Sequence, residues 1–192
     1  MSDARRLDAA AIRLLDVLLA TSLLLLLAVP MVLIALAIRL GDGGPALFRQ
    51  QRVGARQELF MVLKFRTMRV ATRRAAFRTQ RADPRITALG RLLRPSHCDE
   101  LPQLINVLKG QMSLVGVRPD TPMQRSDYSS SYWQARHHYA PGITGPAQVA
   151  RGDLTLDKRS ALEREWLDRK SLPLYLRILW QTVGKVFARS SH

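Results

Sequence analysis

The pattern of apolar positions along the chain is dominated by one long run near its beginning. Residues 17–38 contain no charged side chain, and a run of this length can span the roughly 30 Å hydrocarbon core of a bilayer. It is too long for a secretory signal peptide, and no small-residue cleavage site follows it, which disfavours that interpretation. Pro30 interrupts the run, and a proline inside a helix removes a backbone hydrogen bond and kinks or breaks the helix.

Two membrane topologies are compatible with this broken run. In one, a kinked helix spans the bilayer; in the other, the chain bends at the proline and returns to the side from which it came. The arm before the proline reaches only about 20 Å, and positive residues, which favour the cytoplasmic side, flank both ends of the run. They are Arg5, Arg6 and Arg13 before it and Arg39, Arg49, Arg52 and Arg56 after it. A re-entrant segment would keep both groups in the cytoplasm, and the residues alone leave both topologies open.

The remaining apolar patterns are shorter. Apolar residues at 101, 104, 105 and 108 follow the spacing of one helix face, and Gly110 is a typical C-terminal stop. Because a proline is tolerated only in the first turn of a helix, Pro102 predicts that this helix begins near Cys98 or Asp99.

Elsewhere the pattern predicts a short strand or buried segment over 58–68, a strand or loop over 111–120, and a defined loop over 139–149. The last prediction is a basic amphipathic helix over 171–190. Such a helix is expected either to lie on a membrane interface or to pack on the domain.

Charge adds a partner to this picture. The 192 residues include 30 Lys and Arg against 15 Asp and Glu, for a formal net charge of +15. Such a surplus predicts an anionic partner: nucleic acid, an acidic membrane surface or a phosphorylated substrate. With Cys98 as the single cysteine no intrachain disulfide can form, and the four histidines do not have zinc-ligand spacing, so a structural zinc site is not expected.

Two adjacent carboxylates, Asp99 and Glu100, stand out in this basic chain. They have an ordinary explanation, since acidic residues at a helix N-terminus stabilise it by roughly 0.3–1 kcal/mol. The same terminus also attracts phosphate, and arginines surround the pair in sequence. A carboxylate, Mg²⁺ and an arginine clamp together make a phosphoryl-transfer site, in which an aspartate can act as the nucleophile. The neighbouring arginines are Arg85, Arg91, Arg94 and Arg118.

The two residues before the pair offer weaker alternatives. A thiolate at Cys98 is disfavoured because the neighbouring carboxylates oppose its formation and no base is evident. His97 as a general base has no partner visible in the sequence.

The motifs, taken in order, resemble the bacterial sugar transferases of the monotopic phosphoglycosyl transferase type. The resemblance covers nearly the whole chain. Each motif is weak alone, but their order and spacing are highly specific. The motifs are the basic N-terminus with its apolar run broken at Pro30, GGPALFRQQRVG, KFRTM, DPRITALGRLLR, DELPQLINVLKGQMSLVGVRP and PGITGPAQV.

The resemblance implies a reaction. A phosphosugar would pass from a nucleoside diphosphate sugar, a UDP-sugar, to polyprenyl phosphate, of the undecaprenyl type, with release of UMP. Asp99 would be the nucleophile and the Mg²⁺ ligand, and Glu100 would act as a base or a positioning group. Four basic residues would line the phosphate site: Lys64, Arg66, Arg94 and Arg118.

The resemblance also implies an architecture. The fold class is α/β-mixed and mostly helical, with amphipathic interfacial helices. Residues 1–40 would form the basic N-terminus and a re-entrant helix–break–helix segment broken at Pro30, and residues 41–192 a catalytic domain resting on the membrane. The location would be the cytoplasmic face of a bacterial inner membrane, with the lipid bilayer as a partner and no nucleic acid.

Four positions depart from the family pattern. Val29 replaces the usual serine before Pro30, Val117 replaces the first proline of GPRP, His97 stands where serine or threonine is common, and Tyr175 replaces an acidic residue. Because of these changes, a family member that has lost its activity remains an alternative. A membrane-anchored protein that binds nucleic acid or anionic lipid is a further alternative, and the segments around 69–82 and 120–138 are expected to govern donor choice.

Overall fold

The computed structural model describes residues 3–69, 83–150 and 154–190, and most of these residues are helical. The segment around 69–82, which is expected to govern donor choice, therefore lies outside the described residues except for Arg69. The helices are α1 (Asp3–Leu26), α2 (Ala28–Asp42), α3 (Ala88–Leu93), α4 (Gln103–Leu108), α5 (Ser130–Arg136), α6 (Pro146–Val149), α7 (Leu156–Arg169) and α8 (Leu172–Ser190).

Four short strands form two small sheets among the described residues. Strands β1 (Leu47–Val53) and β2 (Leu59–Phe65) make an antiparallel hairpin. Strands β3 (Ser113–Val115) and β4 (Gly142–Thr144) pair in parallel. The prediction of a strand within 58–68 is confirmed, and so is the α/β-mixed, mostly helical fold class.

The loop predicted over 139–149 is wrong, because this segment contains β4 and α6. Its glycines signal close backbone packing rather than an irregular loop. A Cβ atom on Gly142 would lie 2.0 Å from the backbone nitrogen of Gly116, and one on Gly145 would lie 1.9 Å from the Gly116 carbonyl oxygen. Only glycine permits this approach, and it brings the backbone of β4 against the residues that follow β3.

The helix break occurs at Leu27, between α1 and α2. Pro30 explains its position, since a proline ring collides with the carbonyl four residues earlier, here that of Leu26. Hydrogen bonds from Leu27 N to Leu23 O and from Met31 N to Leu27 O continue the backbone pattern on either side. Of the described helices, the segment Arg6–Leu26 is long and apolar enough to cross a membrane, as judged by length and composition.

The part of α1 that precedes the apolar run is joined to the rest of the protein by polar contacts. Arg13 donates to the carbonyl oxygens of Val107 and Leu108 at 2.7 and 2.9 Å, which satisfies the end of α4. This arginine therefore also has a structural partner, beyond its place in the positive cluster that precedes the apolar run. Asp16 is 3 % exposed and accepts hydrogen bonds from three groups: Ser113 Oγ, Leu114 N and Tyr175 Oη.

The predicted C-terminal amphipathic helix is confirmed as α8. Tyr175 and Ile178 on its inner side are buried in the main core beside Trp166 and Ile12. The opposite side carries an exposed apolar stripe at helical spacing: Leu176, Trp180 and Val183. The helix thus packs on the domain through one face and leaves the other apolar face uncovered within the described residues.

Candidate active site

Asp99 and Glu100 lie in a single 3₁₀ turn, Cys98–Glu100, between α3 and α4. The chain reverses at His97, whose φ of 56° is in the left-handed region. The α-helix starts later than predicted: Pro102 is the N-cap of α4, and the carboxylates precede that helix rather than occupy its first turn. The proline is tolerated outside the helix as well as inside its first turn, so it did not fix the start. Gly110, with a φ of 77°, confirms the predicted stop.

Glu100 is held by two cations. Its Oε1 atom accepts from Lys64 Nζ at 2.5 Å and from Arg118 NH2 at 3.1 Å, and the residue is only 8 % exposed. Burial alone would raise the pKa of this carboxyl, but the two positive charges and their hydrogen bonds lower the pKa to about 2. Glu100 is therefore ionised at neutral pH, and its charge is matched.

Asp99 has the opposite environment. Its carboxylate forms no hydrogen bond or ion pair with any residue in the described part of the chain, and its side chain is partly exposed. Burial and the adjacent charge of Glu100 raise the pKa of Asp99, while Lys64, His97 and Arg94 oppose the shift. Asp99 is thus a carboxylate with nearby positive charge and oxygen atoms open to a ligand.

Lys64 is placed by strand β2, whose edge is fixed by a side chain from α4. Asn106 is 1 % exposed; its Oδ1 atom accepts from Leu63 N at 3.0 Å, and its Nδ2 atom donates to Met61 O at 2.9 Å. The amide thereby takes the place of a neighbouring strand. The Lys64 ammonium is itself mostly buried, and this burial lowers its pKa although Glu100 opposes the shift.

Arg118 follows β3 and is oriented by a buried ionic network. The side chain of Arg136 is fully buried. It donates to Asp120 Oδ2 at 2.8 Å and forms an ion pair with Glu163. It also donates to the Arg118 carbonyl oxygen at 3.3 Å. Arg52 from β1 donates to the neighbouring Pro119 carbonyl oxygen at 2.9 Å. The segment that carries Arg118 is therefore held from two sides.

Neither Asn106 nor this network is predicted from the sequence. The spacing of the network residues along the chain gives no signal, because Asp120, Arg136 and Glu163 come from separate elements. For Asn106 a signal exists: a polar residue lies among apolar ones on the buried side of α4.

The other two predicted basic residues occupy different surroundings. Arg94 follows α3; its charge acts on Asp99, and its NH1 nitrogen is buried without a hydrogen-bond partner among the described residues. Arg66 is 6 % exposed, and its guanidinium lies against Gly44, where a Cβ atom would be 1.8 Å from NH1. The described contacts bring Lys64 and Arg118 to Glu100 and place Arg94 near Asp99, but they do not join Arg66 to either carboxylate.

Two of the departures from the family pattern are structural. Val117 is 4 % exposed and belongs to the main core. Tyr175 is fully buried and donates to Asp16 at 2.7 Å, a contact that joins α8 to α1. In this chain Tyr175 supports the packing of these two helices.

The residues present fit a divalent cation that is held mainly by water and substrate. No cluster of three or more His, Cys, Asp or Glu residues able to hold a metal occurs in the described part of the chain. Mg²⁺ does not need such a cluster, because it is commonly held by one or two carboxylates, water and substrate phosphates. The open oxygens of Asp99 fit that requirement, whereas the Oε1 atom of Glu100 is occupied by its two cations.

The chain is similar to known proteins over most of its length. The family model described as "Bacterial sugar transferase" matches residues 7–189. The chain is 42 % identical over 183 residues to an undecaprenyl-phosphate glucose phosphotransferase of Komagataeibacter xylinus. The matched residues cover 88 % of this chain and 34 % of that protein.

Two further relatives differ in the donor named. One is a UDP-glucose:undecaprenyl-phosphate glucose-1-phosphate transferase of Caulobacter vibrioides, 42 % identical over 180 residues, which cover 89 % of this chain and 67 % of that protein. The other is a UDP-N-acetylgalactosamine-undecaprenyl-phosphate N-acetylgalactosaminephosphotransferase of Aeromonas hydrophila, 37 % identical over 170 residues, or 86 % of this chain and 40 % of that protein.

The chain thus spans 34 % of the Komagataeibacter relative and 40 % of the Aeromonas relative, although the similarity extends over most of its own length. The family match includes both carboxylates of the site and the elements that hold Glu100. The protein belongs to the bacterial sugar transferase family.

Proposed function

We propose that the protein transfers a sugar phosphate from a UDP-sugar to a polyprenyl phosphate, with Asp99 as the nucleophile. An Asp99 oxygen attacks the phosphorus that bears the sugar, and the bond from that phosphorus to the bridging oxygen breaks. UMP leaves with the bonding electron pair, and an acyl phosphate joins Asp99 to the sugar phosphate. The donor and acceptor classes come from the names of the relatives.

In the second step, a phosphate oxygen of the acceptor attacks the same phosphorus. The bond to the Asp99 oxygen breaks and the carboxylate is regenerated. The product is a sugar joined to the lipid through a diphosphate. The two steps balance without an oxidant or a further co-reactant.

One observation carries this proposal: the two adjacent carboxylates have different surroundings. Glu100 is neutralised by Lys64 and Arg118, whereas Asp99 has no hydrogen-bond or ion-pair partner among the described residues. A structural acid pair would be expected to have both members bound. A nucleophile instead needs an open oxygen, and positive charge nearby to stabilise the phosphoryl group in the transition state.

Mg²⁺ is part of the same proposal, with Asp99 as its protein ligand. When bound, the ion would neutralise charge on the phosphate oxygens of the donor. The role of Glu100 is to keep Lys64 and Arg118 oriented beside the reacting phosphates. Arg94, whose buried NH1 nitrogen has no hydrogen-bond partner in the described part of the chain, is suited to bind a phosphate oxygen. Arg66 remains a predicted phosphate ligand.

A membrane location with a re-entrant first segment is the third part of the proposal. Arg13, just before the apolar run, contacts α4, and Ile38, at the end of the run, packs with Phe65 and Leu93. Both ends of the run therefore meet the catalytic domain, while Leu25, Leu26 and Val29 near the break are 69–75 % exposed. A bilayer is the environment that such an exposed apolar turn favours, and the cytoplasmic face of the inner membrane is the proposed side.

The experiment is to incubate the protein with candidate UDP-sugars and to measure its intact mass. The expected result is an adduct of one sugar phosphate in the native protein and none in Asp99→Asn. Asp157→Asn, an acid in the first turn of α7, is the matched control and should form the adduct normally.

Full turnover by Asp99→Asn would show that another group is the nucleophile. If the native protein forms no adduct with any UDP-sugar and releases no UMP, the transferase proposal fails. Strong salt-dependent binding to DNA in that case would favour the nucleic-acid alternative.

A further inference from the structure

A second pocket lies beside the candidate active site, and the proposed chemistry leaves it without a role. Its volume is about 260 Å³, and it is bounded by α6, α7 and α8. Arg118 lines both this pocket and the crevice that contains Lys64 and Glu100. The two spaces therefore adjoin at the one arginine that already binds Glu100.

The charges of this pocket select an anion. Arg118, Arg159 and Lys185 line it, and no carboxylate does so among the described residues. Lys185 Nζ is held at the pocket wall by the carbonyl oxygens of Gln148 and Ala150, both at 2.8 Å. The Nε atom of Arg159 is fixed by Glu163 at 3.0 Å, which leaves the rest of its guanidinium available for other bonds.

The pocket also contains an amide suited to more than phosphate. The side-chain nitrogen and oxygen of Gln148 are both buried, and neither has a hydrogen-bond partner in the described part of the chain. Burying such an amide unbonded is costly, so the group is expected to bond to a ligand. A carboxamide presents a donor and an acceptor side by side, which matches the N3–H donor and O4 acceptor of uracil.

We infer that this pocket binds the nucleoside monophosphate half of the donor, with the base on Gln148 and its phosphate near Arg118 and Arg159. The inference rests on the proposed function and extends it. A polyprenyl phosphate would use the cations but would have no group for the buried amide. The pocket volume is also below the roughly 300 Å³ of sites for whole drug-sized ligands, which suits one half of a donor.

This arrangement gives the two halves of the donor separate sites. The bridging oxygen would lie near Arg118, between Asp99 and the base. Relatives that use different sugars share the UDP part in their names, as expected if the base has a site of its own apart from the sugar.

The test measures binding of UMP and of ribose 5-phosphate, which lacks the base, to the full chain in detergent by calorimetry. Gln148→Met keeps the side-chain length but removes the amide. It is expected to raise the Kd of UMP about tenfold, because the hydrogen bonds between the amide and the base are lost. The Kd of ribose 5-phosphate should be unchanged. Arg159→Gln should weaken both ligands. Thermal unfolding checks the fold of each variant, and Gln148→Leu, which also removes the amide without adding a charge, replaces the methionine variant if that variant misfolds.

Several results would overturn the inference. One is that the native protein does not bind UMP, and another is that a folded Gln148 variant binds UMP as tightly as the native protein. A third is a variant with a raised KM for polyprenyl phosphate and an unchanged UMP affinity, which would assign the pocket to the acceptor. The mass experiment separates the two proposals. Base-dependent UMP binding with neither a sugar-phosphate adduct nor UMP release from any UDP-sugar leaves the pocket assigned and refutes the transferase mechanism. An adduct with unchanged UMP binding in the variants does the reverse.

Discussion

At the scale of single residues, the site depends on one backbone conformation. His97 has a φ of 56°, and its carbonyl oxygen accepts from Glu100 N at 3.0 Å. Histidine enters the left-handed region more readily than most residues, and β-branched residues enter it with most difficulty. The residue before Cys98 thus sets the direction in which the two carboxylates emerge from α3.

His97→Gly is therefore expected to keep adduct formation and to change the free energy of unfolding by no more than about 1 kcal/mol, because glycine adopts this conformation freely. His97→Val should lower that free energy by about 1–2 kcal/mol and reduce the rate of adduct formation. Intact mass and thermal unfolding measure the two effects. Equal activity in the glycine and valine variants would show that the conformation does not matter for the site.

A second residue predicts how stability depends on pH. His137 is 4 % exposed, and its Nδ1 atom lies 2.8 Å from Trp133 O. Burial lowers the pKa of His137, and the positive charge of Arg136 lowers it further. The Trp133 carbonyl and Asp120 oppose this shift; the Asp120 Oδ2 atom lies 3.6 Å from His137 Nε2. The unfolded chain thus binds a proton at higher pH than the folded one.

The stability that His137 contributes is present above its ordinary pKa of about 6.5 and is lost as the pH falls toward the lower folded pKa. We expect the unfolding temperature to drop between pH 7.5 and pH 5.5, and to drop less in His137→Gln. His138→Gln is the matched control, since His138 is exposed, and it should behave as the native protein does. An identical drop in all three proteins would contradict this prediction.

At the scale of elements, side chains rather than extended sheets hold the site together. The described sheets have two strands each, and isolated hairpins of this kind are marginal in water. Asn106 compensates by binding the backbone of β2 from α4. Asp16 similarly joins α1 to β3 and α8.

Asn106→Ala is expected to lower the free energy of unfolding by about 3 kcal/mol, because it leaves Leu63 N and Met61 O without their partner. Because Asn106 fixes the edge of β2, Lys64 should also be displaced, and adduct formation should slow. Tryptophan fluorescence during thermal unfolding gives the stability. Lys109→Ala, an exposed change just past the end of α4, is the control, and equal stability of the two variants would contradict the proposed role of Asn106.

At the scale of the whole molecule, the arrangement of α1 and α2 predicts a topology. Leu7 in α1 and Gly41 in α2 are both exposed, and a Cβ atom on Gly41 would meet nothing within 4 Å. If the segment is re-entrant, the two positions lie on the same side of the membrane; if it spans, they lie on opposite sides.

Single cysteines at Leu7→Cys and Gly41→Cys, introduced with Cys98→Ser, test this directly. In sealed vesicles of one orientation, both variants should react with a membrane-impermeant thiol reagent, or both should be protected. Detergent should expose both, which controls for reactivity. Labelling of one variant alone would establish a spanning helix and refute the re-entrant proposal.

Strong local signals in the sequence were enough to predict several elements. Pro30 predicted a broken helix, Gly110 predicted the end of α4, and the spacing over 171–190 predicted α8, because these features act within a few residues of backbone. Their boundaries differ by a few residues from the prediction: the break is at Leu27 rather than Pro30, and α4 starts at Gln103 rather than near Cys98 or Asp99. The family resemblance implied that Lys64 and Arg118 line a phosphate site, and the structure places both of them beside Glu100.

Which carboxylate is neutralised and which is open depends on contacts between distant parts of the chain. That distinction depends on β2 and the end of β3 meeting the same 3₁₀ turn, so that both cations reach Glu100 and neither forms an ion pair with Asp99. Adjacent residues share local conformational propensities. The charge of Glu100, however, is matched by Arg118 and Lys64, which are 18 and 36 residues away along the chain. Local sequence therefore set where the acids lie, and long-range packing set what each of them can do.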